Sequence, residues 1–181
     1  MNIEGQSWRT IWLEEGGNAV GVIDQTQLPH RFKTCTLKTW GDVAKAIRDM
    51  LVRGAPLIGV TGAYGLMLAL QDDPSDMSLN EAFNGLLKTR PTAVNLRWAL
   101  ERVRQKVTQI PLSDRAVVAQ QEAISIANTE VKCCEVIGDY GLALLQELAA
   151  TKTSKNDKEP LNLLTHCNAG WLATVDWGTA L

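Results

Sequence analysis

Residues 55–70 carry no charged side chain and form the most hydrophobic segment of the chain, yet they are interrupted by Gly59, Gly62 and Gly65. The run is shorter than the roughly 18 apolar residues of a membrane span. It predicts a buried helix over residues 56–70. Glycine costs about 1 kcal/mol relative to alanine inside a helix, so three glycines at a spacing of three require a compensating contact. Close packing against a neighbouring helix is the reading that provides one. A phosphate-binding glycine loop is the rival, and neither a Walker spacing nor a dinucleotide fingerprint accompanies it.

Ahead of this helix, residues 9–13 and 18–24 read as strands around the turn-rich Glu15-Gly16-Gly17-Asn18. Residues 31–37 read as a third strand, so the chain opens on a small antiparallel sheet. Thr39 followed by Asp42 has the pattern of a helix N-cap with an acid in the first turn, and Val43, Ile47, Met50 and Leu51 share one helical face. This helix is expected to stop at Val52-Arg53-Gly54, with Gly54 as a left-handed cap and Pro56 in the first turn of the next helix.

Further on, Ser78-Leu79-Asn80-Glu81 carries a capping-box pattern before a helix that ends near Lys88. Another begins around Thr92 and aligns Leu96, Leu100, Val103 and Val107. Pro111 ends it, and Ser113 caps a last helix that runs towards Leu148, with Gly138 and Gly141 placed to bend or divide it. Residues 151–160 are polar or charged apart from a terminal proline and read as a linker. The expected organisation is a strand-and-helix domain over 1–150, the linker 151–160, and from Leu161 the start of an α/β domain.

That second segment has the grammar of strand, tight turn and helix start. Leu161, Leu163, Leu164 and Thr165 suit a short buried strand, and His166-Cys167-Asn168-Ala169-Gly170 a turn in which Asn168 and Gly170 tolerate positive φ. The apolar run from Trp171 to Val175 can then open a helix. Cys167 would lie where a strand ends and a helix begins, the place at which open α/β sheets bind ligands and at which free N–H groups favour a thiolate. A small buried cysteine filling a turn is the plainer alternative. Arg53 and Arg90 each precede a helix start beside a proline. There a guanidinium and the helix N-terminus can converge on one anion such as a phosphate, or the arginine is simply solvated.

A net charge of −2 gives no electrostatic case for nucleic acid. The four cysteines, Cys35, Cys133, Cys134 and Cys167, lack a Cys-x-x-Cys spacing, which is cytosolic usage, and with only His30 and His166 beside them no metal site is expected. Residues 1–15 have no basic start followed by an apolar run, so no secretory signal is expected, and the chain reads as soluble and cytoplasmic with no membrane partner.

Several separated motifs coincide in order along the whole chain: Asp24-Gln25-Thr26 with Leu28-Pro29, Met50-Leu51-Val52-Arg53-Gly54-Ala55-Pro56 with Ile58-Gly59-Val60, Thr89-Arg90-Pro91-Thr92-Ala93-Val94-Asn95-Leu96, and Thr165-His166-Cys167-Asn168-Ala169-Gly170. By these the chain resembles the methylthioribose-1-phosphate isomerases of methionine salvage. The resemblance implies an α/β protein whose N-terminal domain of strands and helices precedes a Rossmann-like domain. It also implies a cofactor-free aldose–ketose isomerisation of a sugar phosphate, and a homodimer at full length. Arg53, Gly54, Ala55 and Arg90 match the family's substrate-binding residues, and Cys167 matches its catalytic cysteine. The family's partner aspartate lies farther along than Leu181, and no aspartate present matches it by motif, so the 181-residue chain by itself is expected to be catalytically silent. Two other readings remain. One is a non-catalytic relative akin to the regulatory subunits of the translation-initiation guanine-exchange factor; the other is a ribose-bisphosphate isomerase of the same superfamily.

Overall fold

The computed structural model of the chain describes residues 2–151 and 160–180. Strands β1 (Asn2–Ile3) and β2 (Gln6–Ser7) form a short antiparallel hairpin. Strands β3 (Ile11–Leu13), β4 (Val20–Ile23) and β5 (Thr34–Leu37) form the antiparallel sheet expected from the pattern, in the order β3-β4-β5. Gly21 is paired with Trp12, and a side chain at position 21 would overlap the indole, which is why a glycine occupies a buried strand. Ile11, Val20, Val22 and Leu37 turn one face of this sheet into the core.

Helix α1 (Trp40–Arg48) opens on the predicted box: Thr39 Oγ1 accepts from the Asp42 amide at 3.1 Å, and Asp42 Oδ2 accepts from the Thr39 amide at 3.0 Å. It ends earlier than its periodicity suggested. Met50, not Gly54, takes the left-handed position with φ 63°, the Leu51 amide donates to Ala46 O at 2.9 Å and the Met50 amide to Ile47 O at 3.4 Å. This is a Schellman closure, which leaves Met50 exposed rather than on the apolar face. Gly54 instead precedes the next helix as its N-cap, with φ 96° and ψ 134°.

Helix α2 (Ala55–Asp72) is the centre of the molecule: residues 57–70 are all buried, and α1, α3 (Asp76–Thr89), α4 (Val94–Val107) and α5 (Leu112–Thr151) all pack against it. A helix apolar on every side must be enclosed on every side. The buried hydroxyl of Thr61 is satisfied within the helix, Oγ1 donating to Leu57 O at 2.7 Å. The three glycines are contact points, as expected. A Cβ at Gly59 would lie 2.9 Å from Asn95 O, one at Gly62 would run into Leu96, and one at Gly65 would lie 2.9 Å from both Leu86 and Val43. Because Gly59 meets Asn95 and Gly62 meets Leu96 and Leu100, position numbers rise together along both helices, and α2 and α4 run parallel.

The cap of helix α3 lies three residues before the predicted one. Ser75 accepts from the Ser78 amide at 3.2 Å, so Ser78 lies inside the first turn. Helix α4 buries Leu96, Leu100, Val103 and Val107 completely. The 40-residue α5 passes through Gly138 and Gly141 unbroken. An isolated glycine lowers helix propensity without removing a hydrogen bond. No helix among the described residues is long and apolar enough to cross a membrane.

The predicted linker lies outside the described residues save at its ends. Residues 161–165 do not form the expected strand: they are exposed and without regular structure, and among the described residues no neighbouring strand lies beside them to satisfy their backbone groups. The expected helix after the turn is a single 3-10 turn, Trp171–Ala173.

Candidate functional site

The loop 49–54 joins α1 to α2 and is fastened from the strand side. Gln25, at the end of β4, donates its amide to Leu51 O at 3.0 Å, and its own carbonyl accepts from the Arg53 guanidinium at 3.5 Å. Val52 is fully buried beneath it, whereas Arg53 and Ala55 are exposed. Helix α2 starts without a side-chain cap and without an acid in its first turn. Helix α4 starts in the same way after Arg90, whose carbonyl accepts from the Ala93 amide at 2.9 Å. Two uncapped, acid-free N-termini carry the positive ends of their helix dipoles outward. Since α2 and α4 are parallel, these N-termini, together with the loops that hold Arg53 and Arg90, occupy the same end of the bundle. The sequence pattern placed each arginine at a helix start; the parallel packing brings the two starts together.

The segment that follows the cysteine turn arrives at this end from the other side of the sequence. Cys167 itself takes the left-handed conformation, φ 68°, while Gly170 keeps φ −74°, so the reversal is made at the cysteine and at neither Asn168 nor Gly170, the residues expected to allow it. Its thiol is exposed and not disulfide-bonded, and it does not fill the core. The 3-10 turn starts only at Trp171, so among the described residues no helix N-terminus lies at Cys167. Beyond it, the segment 169–179 closes on itself through the Thr179 amide to Ala169 O at 2.8 Å and Thr174 Oγ1 to Trp171 O at 2.9 Å.

Four contacts seat that segment on the rest of the fold. The Thr10 amide donates to Val175 O at 3.0 Å, Gln25 Nε2 donates to Leu172 O at 2.7 Å, and the Val175 amide donates to Glu130 Oε2 at 2.9 Å. Ala173 rests on Gly54 so closely that any side chain at position 54 would overlap its backbone. The segment after Cys167 is therefore packed directly on the Arg53-Gly54-Ala55 loop.

A groove of about 310 Å³ opens beside the two helix starts, lined among others by Pro56, Gly59, Asn95, Trp98, Glu130 and Cys134. Glu130 and Cys134, one turn apart on α5, were not singled out by the sequence reading; an i, i+4 pair on a long helix carries no distinctive signal. Cys134 Sγ donates to Glu130 Oε1 at 3.0 Å. Burial, then the hydrogen bond to Glu130, pushes the Cys134 thiol up to about 12, so it stays protonated and unreactive. Burial also raises Glu130 above the ordinary carboxylate range, against the hydrogen bonds from Cys134 and Val175.

The folded state thus holds the Glu130 proton more tightly than the unfolded chain does. The contribution of this group to stability is greatest at low pH and is lost as pH rises from the ordinary glutamate value of 4.5 through the raised folded-state value. Thermal unfolding followed across about pH 4 to pH 8 should therefore show wild type falling relative to Glu130→Gln within that window and running parallel to it above. Parallel curves throughout would remove Glu130 as the cause.

The profile of the Initiation factor 2 subunit family matches residues 51–175 of the chain. Over 182 aligned residues it is 54% identical to a protein of Rhodospirillum rubrum named methylthioribose-1-phosphate isomerase, covering all of this chain and 47% of that one. Among solved structures, it resembles 5-methylthioribose 1-phosphate isomerase from Pyrococcus horikoshii at 36% identity and a TM-score of 0.76, over 96% of this chain and 47% of the other. It also resembles the translation initiation factor eIF-2B subunit delta from A. fulgidus at 33% identity and a TM-score of 0.75, over 95% and 48%. The chain spans about half the length of these relatives.

Proposed function

Because the chain belongs to the Initiation factor 2 subunit family, we propose that it forms the phosphate-binding and cysteine-bearing part of an isomerase converting methylthioribose 1-phosphate to methylthioribulose 1-phosphate. One observation carries this reading. The parallel α2 and α4 put the Arg53 and Arg90 loops at one end of the bundle, and the segment following Cys167 is seated on Gly54 at that same end. The relatives of Rhodospirillum rubrum and Methylorubrum populi that are 54% identical to the chain are named for this reaction.

The substrate's anomeric oxygen is esterified, so its ring must open before or while the sugar changes from aldose to ketose. The C1–O4 bond breaks and O4 takes a proton; the hydrogen on C2 ends on C1, and the hydroxyl on C2 gives up its proton as the ketone forms. Nothing is gained or lost overall, which is why no cofactor is called for. Arg53, the α2 start at Gly54-Ala55, and Arg90 hold the phosphate, and their fixed charges orient the sugar. Cys167, exposed at the turn, carries one of the protons, and a second acid–base group belongs to the remainder of the enzyme. In this reading residues 1–150 form the N-terminal domain and 151–160 the linker, and 161–181 open a Rossmann-like domain whose sheet gives residues 161–165 the neighbours that a strand needs. The whole enzyme is a cytoplasmic homodimer that binds a sugar phosphate and no nucleic acid.

The likeness to the exchange-factor subunit is nearly as close in fold, so fold alone does not separate catalysis from binding. The exposed cysteine turn favours catalysis. The test is a fusion of this chain to the second half of the Rhodospirillum rubrum relative, assayed with methylthioribose 1-phosphate and with ribose 1,5-bisphosphate. Conversion of the first to the ketose without added metal or cofactor is the expected result. A folded fusion that converts neither sugar overturns the isomerase reading, and preference for the bisphosphate transfers it to the other substrate.

A further inference from the structure

The motif Asp24-Gln25-Thr26 has no part in substrate binding or proton transfer as proposed above, yet it contains one of the most buried polar side chains of the fold. Gln25 is 2% exposed. Asp24 shapes the corner, accepting at Oδ1 from the Thr26 amide at 3.0 Å and from Thr26 Oγ1 at 2.6 Å. That corner turns Gln25 so that each of its polar arms reaches a different piece of the site. Its main chain bonds both sides of the loop before α2, the amide to Leu51 O at 3.0 Å and the carbonyl to Arg53 at 3.5 Å. Its side-chain amide donates to Leu172 O at 2.7 Å, five residues beyond Cys167 and 147 residues away from Gln25 in sequence.

We propose that Gln25 is a positioning residue of the isomerase, setting the distance between the arginine loop that holds the phosphate and the turn that carries Cys167. Its side chain touches neither substrate nor thiol. It acts by fixing the backbone at Leu172, and with it the approach of the cysteine turn to Gly54. A glutamine suits this task because its amide donates to a part-buried carbonyl without bringing a charge beside Arg53, and a carbonyl shielded from water and left without its donor costs free energy.

The proposal concerns the isomerase reading only in its kinetic arm. Gln25→Met keeps the length and removes the donor; Gln25→Asn keeps the amide but is one methylene too short. In the 181-residue chain, hydrogen exchange by mass spectrometry should show faster exchange, at least about tenfold, across 171–175 for either variant, with β4 and α1 unchanged. In the fusion described above, kcat should fall about 10- to 100-fold while KM stays within about twofold, because misplacing the reacting group by about 1 Å is enough for a loss of that size and the phosphate contacts survive. Unchanged exchange at 171–175, or exchange rising equally in β4 and α1, overturns the proposal, as does a rise in KM with kcat intact. If Gln25→Met fails to fold, Gln25→Asn decides by the same criteria. Should the unmodified fusion prove inactive, the isomerase reading fails, and the exchange pattern still decides whether Gln25 ties the two loops together.

Discussion

Replacing Cys167 with serine in the completed enzyme should lower kcat by about two to four orders of magnitude, the range contributed by a positioned acid–base group. The substitution changes one atom. Cys167 is exposed and its left-handed backbone is as accessible to serine as to cysteine, so the fold and the seating of 169–179 should be preserved. What changes is the proton. A thiol is a far stronger acid than an alcohol, so the hydroxyl that replaces it is a much poorer carrier of a proton. KM should change little, because in the proposed site the phosphate is held by Arg53 and Arg90 on other elements. Steady-state kinetics of wild type and Cys167→Ser, with hydrogen exchange as the check on folding, decides the matter. A kcat within tenfold of wild type would remove Cys167 from the chemistry and favour the binding-module reading.

Gly54→Ala should be the most costly single methyl group added to this site. Two independent penalties meet there. Position 54 has φ 96°, which alanine adopts only under strain, and a Cβ would overlap the Cα, carbonyl oxygen and Cβ of Ala173. The obstruction is mostly backbone, and that backbone is held by Thr10, Gln25 and Glu130, so it cannot yield as the end of a flexible side chain would. Strain and overpacking together should cost about 2–4 kcal/mol of unfolding free energy in urea, unless the 171–175 segment detaches, in which case exchange there rises instead. Gly138→Ala is the contrasting case. Nothing lies within 4 Å of a Cβ at that position in α5, and the change should stabilise by up to about 1 kcal/mol through helix propensity alone. Equal effects at the two positions would mean that the contact with Ala173 is not what requires glycine at 54.

The elements read from the sequence differ in how well they anticipated the fold, and the differences have physical causes. The Thr39–Asp42 box, the central helix and its glycine contacts, and the apolar face of α4 were all legible, because capping and periodic burial are written within a few residues of where they act. The end of α1 was misread because glycine is the usual left-handed residue and Gly54 stood nearby, whereas Met50 takes that role. The start of α3 was misread because Ser75 and Ser78 are both competent caps, and the first to meet a free amide takes the position. Residues 161–165 have the composition of a strand without a strand beside them, since sheet pairing is a property of two segments and not of one.

By itself, then, the sequence determined the identity and approximate extent of the helices, the sheet at the start of the chain, and the need for close contacts along α2. These follow from backbone preferences and from burial with a helical period, both short-range. Only the tertiary structure decided that α2 and α4 run parallel with their N-termini together, that Ala173 lies on Gly54, and that Gln25 bonds at once to the arginine loop and to Leu172. Such arrangements depend on residues that lie on different elements, as far apart as the 147 positions between Gln25 and Leu172, whose encounter is set by how whole elements pack and not by any pattern within either element.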